Sequence, residues 1–574
     1  MRGSLLLLGL ASFLLGSAAP PSPPQAPAVA LDPASPVKCR PSPQYDESAE
    51  IVLTASRKTR PRNRAPLASP PPPPVMPSIA FAPPAPTLNQ GRAAIVAGTP
   101  VREENRERYD GREVASIQSV AANPVSTFSV DVDTGSYANV RRFLTQGQMP
   151  PSGAVRTEEM INYFRYDYPL PRDRAEPFSV TTDVAVTPWN PATRLLRIGL
   201  RGYDLAAKDR PAANLVFLVD VSGSMSDPDK LPLVKTALKM LADQLTPRDH
   251  VSIVVYAGAA GIVLEPTNKP DYVKLALDCL DAGGSTAGGQ GIELAYATAR
   301  AHRIAGGVNR VILATDGDFN VGITDQKALE DLIKRNRDDG ITLTTLGFGQ
   351  GNYNEPVMER LADLGNGNYA YIDTALEARK VLDEEMASTL FTIAKDVKIQ
   401  VEFNPAAISE YRLIGYENRA LAEDDFNNDK VDAGDIGAGH QVTALYEIVP
   451  AGAKGWLPER RYDANRPSPA PAIGSSEMCF VKLRYKLPDG TTSKLIERPV
   501  PAAMLAAASA PSGDMAFVTA VAGFGQRMRG DKYLNGYSWR EIANLAGNPD
   551  DYYRQEFVKL VGLAAARGSG EQGN

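Results

Sequence analysis

Histidine, cysteine and tryptophan are scarce in this 574-residue chain, with three of each. The histidines, His250, His302 and His440, are few for a histidine-based zinc or catalytic site. The cysteines, Cys39, Cys279 and Cys479, lie far apart, and no CxxC pair occurs. That argues against a zinc or dithiol redox motif. Cys279 falls in an apolar helical pattern and Cys479 at the start of a strand pattern, so both read as small core residues. Positive charge is not in excess: 61 Lys and Arg face 67 Asp and Glu, a net charge of −6, which argues against a nucleic-acid footprint. GxSxG is absent, and the glycine-rich stretch 283–291 lacks the lysine of a phosphate-binding loop. Serine hydrolysis and nucleotide binding therefore lack their motifs.

Long apolar runs are confined to the N-terminus. Arg2 is followed by LLLLGLASFLLG and then GSAAP. This reads as a secretory signal at 1–18, cleaved after Ala18. The run is short for a membrane span, although an uncleaved N-terminal tether is the alternative reading. Cys39 follows Pro-Val-Lys, which is not a lipobox. The chain is thus expected to be exported, periplasmic or associated with the cell envelope.

Residues 19–110 are rich in Pro, Ala and Ser, with PPPPP at 70–74. They read as an extended, disordered linker that cannot bury enough surface to order itself. Within it, EIVLTASRKTR (50–60) looks like the short segment that opens TonB-dependent receptors, but no plug or barrel follows. An N-terminal unit at 111–205 carries FSVDVDTGSYANVRRFL, read as strand, turn and helix, with Asp133 or Thr134 as the helix cap. RTEEMINYF begins a second helix, with Thr157 as cap. From 210 to 393, apolar strands (LVFLVD, HVSIVVYA, RVILATD, ITLTTLGFG) alternate with helices, the last spanning 375–393. This pattern predicts an α/β, doubly wound parallel sheet covered on both faces. From 395 to 570 the period drops to two. Val397, Ile399, Val401 and Phe403 face one way, as in a β-sandwich-like strand, and the final part is helical. Ser538 with Glu541 forms a capping box, and Asn548-Pro549 opens the last helix. The segments flanking the doubly wound unit both carry unpaired strands, so they are expected to pack as one composite domain.

LVFLVDVSGSMSDPDK (215–230) concentrates the chemistry. An apolar strand ends on Asp220, and Ser222 and Ser224 follow in the loop before a helix. Ligands of open α/β sheets bind beyond the carboxyl ends of the strands. Two further strand ends offer Thr286, in DAGGSTAGGQG, and Asp316, in RVILATDGD. Hard oxygen donors from several loops, with few formal charges, suit octahedral Mg²⁺.

In this pattern, Asp220-x-Ser222-x-Ser224, Thr286 and Asp316-Gly317 resemble the metal-ion-dependent adhesion site (MIDAS) of von Willebrand factor type A (VWA) domains. FSVDVDTGSYANVRRFL and DDFNNDKVDAGDIGAGH look like the N-terminal and C-terminal regions that accompany this domain in a family of bacterial envelope proteins. The resemblance implies that Ser222 and Ser224 bind Mg²⁺ directly, with Mn²⁺ or Ca²⁺ as substitutes. It implies that Thr286 joins when the site is engaged, and that Asp220 and Asp316 hold coordinated waters. A protein partner would supply an Asp or Glu carboxylate to the metal, with no catalysis. In the family, closure at the metal can move the last helix, here 375–393. The alternatives are a structural envelope protein with a non-adhesive metal site, and a DxDxT phosphatase using Asp131 as nucleophile and Asp133 as acid/base. Asp425, Asn427, Asp429 and Asp435, in 424–437, alternate somewhat like calcium-loop ligands, but the expected glycine is missing.

Overall fold

The computed structural model describes residues 36–38, 106–130, 133–206, 208–284, 288–317, 326–385, 388, 390–458 and 476–568. The expected signal segment and the stretch 50–60 lie outside the described residues. The N-terminal part supplies strands β1 (Gln118–Ser119), β2 (Val125–Ser129), β3 (Phe178–Val186) and β4 (Arg194–Gly202), with helices α1 (Gly135–Thr145) and α2 (Thr157–Asn162). Next come β5 (Ala213–Asp220), β6 (His250–Tyr256), β7 (Ala260–Thr267), β8 (Val308–Thr315), β9 (Thr342–Phe348) and β10 (Tyr369–Ile372). These form one sheet in the order β10-β9-β8-β5-β6-β7. All pairs are parallel except β6–β7 at one edge.

Helices α3 (Leu231–Asp243), α4 (Pro270–Asp278), α5 (Gly288–Ala301), α6 (Gln326–Asp338), α7 (Glu355–Leu364) and α8 (Ala375–Arg379) accompany this sheet. β5 is buried at all eight positions, which is why it reads as an unbroken apolar run. On one face Val216, Leu218, Val311 and Leu313 pack with Ile292 and Ala295 of α5 and Ile333 of α6. In α3, Leu231, Val234, Leu238 and Leu241 recur at the spacing of one helical face and are buried. Two strands were not legible in the apolar pattern. β7 carries Glu265 and Pro266, and β10 is only four residues long. The helix expected over 375–393 is shorter, because a π-helical turn follows α8 at Lys380–Glu384 and the next strand begins at Thr392.

That strand is β11 (Thr392–Phe403), followed by β12 (Ile408–Ile414), β13 (Ala420–Leu421), β14 (Ile436–Gly437), β15 (Gln441–Pro450), β16 (Glu477–Lys486) and β17 (Ser493–Pro501). The flanking segments share two antiparallel sheets, β1-β12-β15-β4-β3 and β13-β2-β11-β16-β17. N-terminal β4 pairs with β15, and β2 pairs with β11. The sheets stack through aromatic rings, Phe403 lying 4.3 Å from Tyr411 and 5.3 Å from Tyr446, centroid to centroid. In β11 the predicted apolar face is buried, but so are Lys398 and Gln400 on the other face. A loop covers them: Lys398 Nζ donates to the carbonyls of Asp425 (3.0 Å) and Asn428 (2.6 Å).

The chain closes with α9 (Ala503–Ala507), α10 (Gly513–Arg529), α11 (Trp539–Ala546) and α12 (Tyr552–Gly568). The Ser538–Glu541 capping box is formed. Other caps differ from expectation. α12 starts at Tyr552 rather than at Asn548-Pro549, because Asp551 accepts the Arg554 N–H (2.9 Å). Thr157 is the first residue of α2, not its cap, and is buried where Gly525 of α10 leaves room. Neither Asp133 nor Thr134 caps α1; the Glu159 carboxylate reaches across from α2 to the Ser136 N–H (2.8 Å).

Buried charge joins the flanking unit to the central sheet. Arg141 of α1 bonds Asp373, Glu377 of α8 and Glu556 of α12. Arg156 bonds Glu159, Glu355 and Glu359, the last two on α7. Glu355 is fully buried, and its Oε1 has no hydrogen-bond partner among the described residues. Burial pushes its carboxyl up to about 8, against the opposing pull of Arg156. Because the folded value lies above the unfolded one, its contribution is fully present below about pH 4.5 and is lost as pH rises through about 8. The native chain is therefore expected to fall in melting temperature between pH 5 and 8, and a Glu355→Gln variant to lose much of that fall. Parallel pH profiles of the two proteins check this.

Parts of the stretch read as linker are ordered. Val37 forms an isolated bridge to Leu264 on edge strand β7, with Lys38 N–H donating to Val263 O (2.9 Å). Arg108 bridges Asn354, and the Glu107 carboxylate accepts from the Gly351 N–H and from Arg142. Cys279 is also corrected. It is disulfide-bonded rather than a free core thiol, and it stands at the C-cap of α4, outside that helix's buried stripe of Val273, Ala276 and Leu277. Its partner lies outside the described residues. Cys479 is the buried free thiol, pushed up to about 12 by burial. Peptide mapping of unreduced protein is thus expected to join Cys279 to Cys39; a free Cys279 peptide would contradict it.

Candidate functional site

β5 ends on Asp220 in mid-sheet, flanked by β6 and β8. The Asp220 carboxylate is fully buried, with one oxygen bonded to the turn it starts and the other to the two neighbouring strands. Oδ1 accepts the Ser222 N–H (2.9 Å), and Oδ2 accepts the hydroxyls of Tyr256 (3.0 Å) and Thr315 (2.9 Å). Burial raises its carboxyl above the ordinary range, and these hydrogen bonds oppose the rise. A 3-10 turn at Gly223–Ser226 then presents Ser224 to solvent, while Ser222 stays buried. The two hydroxyl oxygens lie 3.1 Å apart.

The glycine loop docks against this turn by its backbone. Gly223 N–H donates to Gly284 O (3.0 Å), and Gly283 N–H donates to Val221 O (2.8 Å). Thr286, two residues further on, lies outside the described residues. Asp316 is fully buried at the end of β8. The following Gly317 has φ +86°, where a Cβ would press on the Asn354 backbone, so glycine is required there. The structure thus brings Asp220, Ser222, Ser224 and Asp316 to the carboxyl edge of the sheet.

Two residues at this edge escaped the sequence reading. Lys230 Nζ donates to Asp316 Oδ2 (3.1 Å) and to Asn352 Oδ1 (3.1 Å). Asn352 Nδ2 donates to the same Asp316 oxygen (3.0 Å). A signal for Lys230 existed. It is the N-cap of α3, and a cation there opposes the helix dipole unless it has another partner.

The competing constellations disperse. Asp131 lies outside the described residues. Asp133 bonds the Tyr369 N–H (2.9 Å) and Arg419 (2.9 Å), and β2 beside it runs antiparallel to both neighbours, unlike the parallel strands a DxDxT phosphatase needs. His250 aligns with Asn214 at the opposite edge of the sheet, roughly 20 Å along the strands from Asp220. In 424–437, Asp429 is held by Arg484 and Ser493, and Asp435 accepts the Asp396 N–H. The loop's carbonyls surround the Lys398 ammonium. Among the described residues no group of three or more His, Cys, Asp or Glu side chains is placed to hold a metal.

A sheet of this order, parallel but for one edge strand and with an Asp-x-Ser-x-Ser turn at its central strand, defines a protein built around a VWA domain. The von Willebrand factor type A domain family matches residues 214–384, and the von Willebrand factor family matches 103–197. The family described as uncharacterized protein YfbK, C-terminal, matches 388–566. The chain is 46% identical over 492 residues to the uncharacterized protein YfbK of Escherichia coli K12, covering 84% of each, and it belongs to that family. A UPF0353 protein of Mycolicibacterium vanbaalenii is 30% identical over 196 residues, covering 30% of this chain and 58% of that protein. Among solved structures, a von Willebrand factor type A protein from Catenulispora acidiphila is 17% identical, covering 71% of this chain and 89% of that one, with a TM-score of 0.36. BatB from Bacteroides thetaiotaomicron is 22% identical, covering 30% and 97%, with a TM-score of 0.27.

Proposed function

We propose that the chain is an exported protein that binds a divalent cation at Asp220, Ser222, Ser224, Thr286 and Asp316, and through it an acidic side chain of a protein partner. Mg²⁺ is the expected ion, with Mn²⁺ and Ca²⁺ as substitutes. The spacing of the two serine hydroxyls carries the reading. Adjacent ligands of an octahedral Mg²⁺ at ordinary bond length are about 3.0 Å apart, and Ser222 Oγ and Ser224 Oγ are 3.1 Å apart. They are neutral donors, and the two carboxylates beside them are held by other hydrogen bonds. The cation, when bound, supplies a Lewis-acidic position for a carboxylate. This chain's residues would hold it and leave part of its charge for the ligand. The role is binding or scaffolding at the cell envelope, not catalysis.

The Cys279 disulfide supports export, since such bonds persist in oxidising compartments. No helix among the described residues is long and apolar enough to cross a membrane. Calorimetric titration of Mg²⁺ into the full chain tests the reading. One saturable site is expected, and no heat, with or without excess acetate as surrogate ligand, would overturn it.

A further inference from the structure

Lys230 is not a surface lysine that happens to reach a carboxylate. It is 4% exposed, and its stem lies against Gly349, where any Cβ would collide with it. Gly349 sits at φ +70°, a conformation that favours glycine, and its carbonyl accepts the Tyr371 hydroxyl (2.6 Å). The channel for the lysine is therefore built into the loop after β9. Its ammonium ends on Asp316 Oδ2 and Asn352 Oδ1, at the carboxyl edge of the sheet where β5 and β8 end. A positive charge is thus locked against a carboxylate that the centre needs.

Asp220 and Asp316 contribute two negative charges and Lys230 one positive, so the described centre carries one net negative charge. A divalent cation would take it to one net positive, which one carboxylate ligand neutralises. Without Lys230 the metal alone would neutralise the centre, and an acidic ligand would leave a surplus negative charge in a poorly screened place. We propose that Lys230 is the fixed cation of the centre: it weakens binding of the bare divalent ion and couples retention of the ion to an acidic ligand. Metal and partner carboxylate then bind cooperatively. The proposal rests on the reading of the centre as a divalent-cation site.

The test is calorimetric titration of Mg²⁺ into the full chain and into Lys230→Met, each with and without excess acetate. Measured coupling between two ligands is commonly about 5- to 150-fold. In the native chain, acetate is expected to tighten Mg²⁺ binding about tenfold. Lys230→Met is expected to bind Mg²⁺ alone about tenfold more tightly, with the acetate effect reduced to about twofold or less. Lys230→Gln keeps a donor for Asp316 without the charge. It is expected to behave like the Met variant, and it carries the test if the Met variant fails to fold. Mg²⁺ affinity and acetate coupling that match the native chain in these variants would overturn the proposal alone. So would weaker Mg²⁺ binding, which would make Lys230 merely a brace for the loops. Absence of Mg²⁺ heat in every protein and condition would overturn the metal reading and this proposal together.

Discussion

In a Ser222→Ala/Ser224→Ala variant, the heat of Mg²⁺ binding is expected to disappear while the protein stays folded. Both changes remove a neutral oxygen from one edge of the proposed coordination shell. The remaining described oxygens are carboxylates committed to other donors: Asp220 to the Ser222 N–H, Tyr256 and Thr315, and Asp316 to Lys230 and Asn352. Asp220 cannot move into a vacated position without breaking its bonds, nor can Asp316 Oδ2 without leaving Lys230 and Asn352. Loss of groups that merely orient a metal ligand costs 10- to 100-fold in affinity, so loss of two direct ligands should cost about a hundredfold or more. Stability should change little. Ser224 is exposed, and the Ser222 N–H that anchors the turn belongs to the backbone. Calorimetry paired with a thermal melt separates the two effects. Undiminished Mg²⁺ binding in a folded variant would place the ion elsewhere.

Arg156→Met is expected to cost about 3–5 kcal/mol of stability, the range for breaking a buried ion pair from one side. Arg156, Glu159, Glu355 and Glu359 are all buried. Without the guanidinium, three glutamates from two structural units face one another in a space that excludes water. Glu359 is held below the ordinary range chiefly by Arg156, against its burial, and would lose that support. The cost belongs to the stranded carboxylates rather than to the lost bonds. Adding Glu355→Gln and Glu359→Gln to Arg156→Met should therefore recover most of the loss. Denaturant midpoints of the native, single and triple variants check this. A triple variant no more stable than the single would show that the arginine acts by packing.

The position of the cluster bears on function. Arg156 ties the flanking unit to α7, and Arg141 ties it to α8, the end of the central unit. Movement of the α8 segment on ligand binding would have to disturb the contacts of Glu377 with Arg141 and Tyr163, both in the flanking unit. The flanking unit is thereby in mechanical contact with the central unit.

Much of the central fold was legible from residue order alone. β5, β6 and β8 were legible because helices cover both faces of the sheet and each strand holds an unbroken apolar run, Leu215–Val219, Ile253–Val255 and Val311–Ala314; β9 kept its strand pattern although Thr342, Thr344 and Thr345 interrupt the apolar positions. The carboxylate and serines that end β5 were legible for the complementary reason: polar groups closing a buried strand need a purpose. The alternation in β11 likewise revealed its core face, and the Ser538–Glu541 box revealed the start of α11. These are local signals, in which neighbours along the chain decide the outcome.

What was not legible depends on residues far apart in sequence. Glu159 caps α1 from another helix, Asp551 moves the start of α12, and a loop buries Lys398 on what alternation marks as the polar face. Val37 becomes part of a sheet edge that begins more than two hundred residues later. Above all, Lys230 reaches Asp316 across 86 positions. No periodicity encodes such contacts, because burial creates the need for a partner and only the folded chain determines which partner is near. The oxygen-donor motif was therefore written in local sequence. The charge standing beside it was decided by tertiary structure, because only folding brings the end of β8, the start of α3 and the loop after β9 to one point.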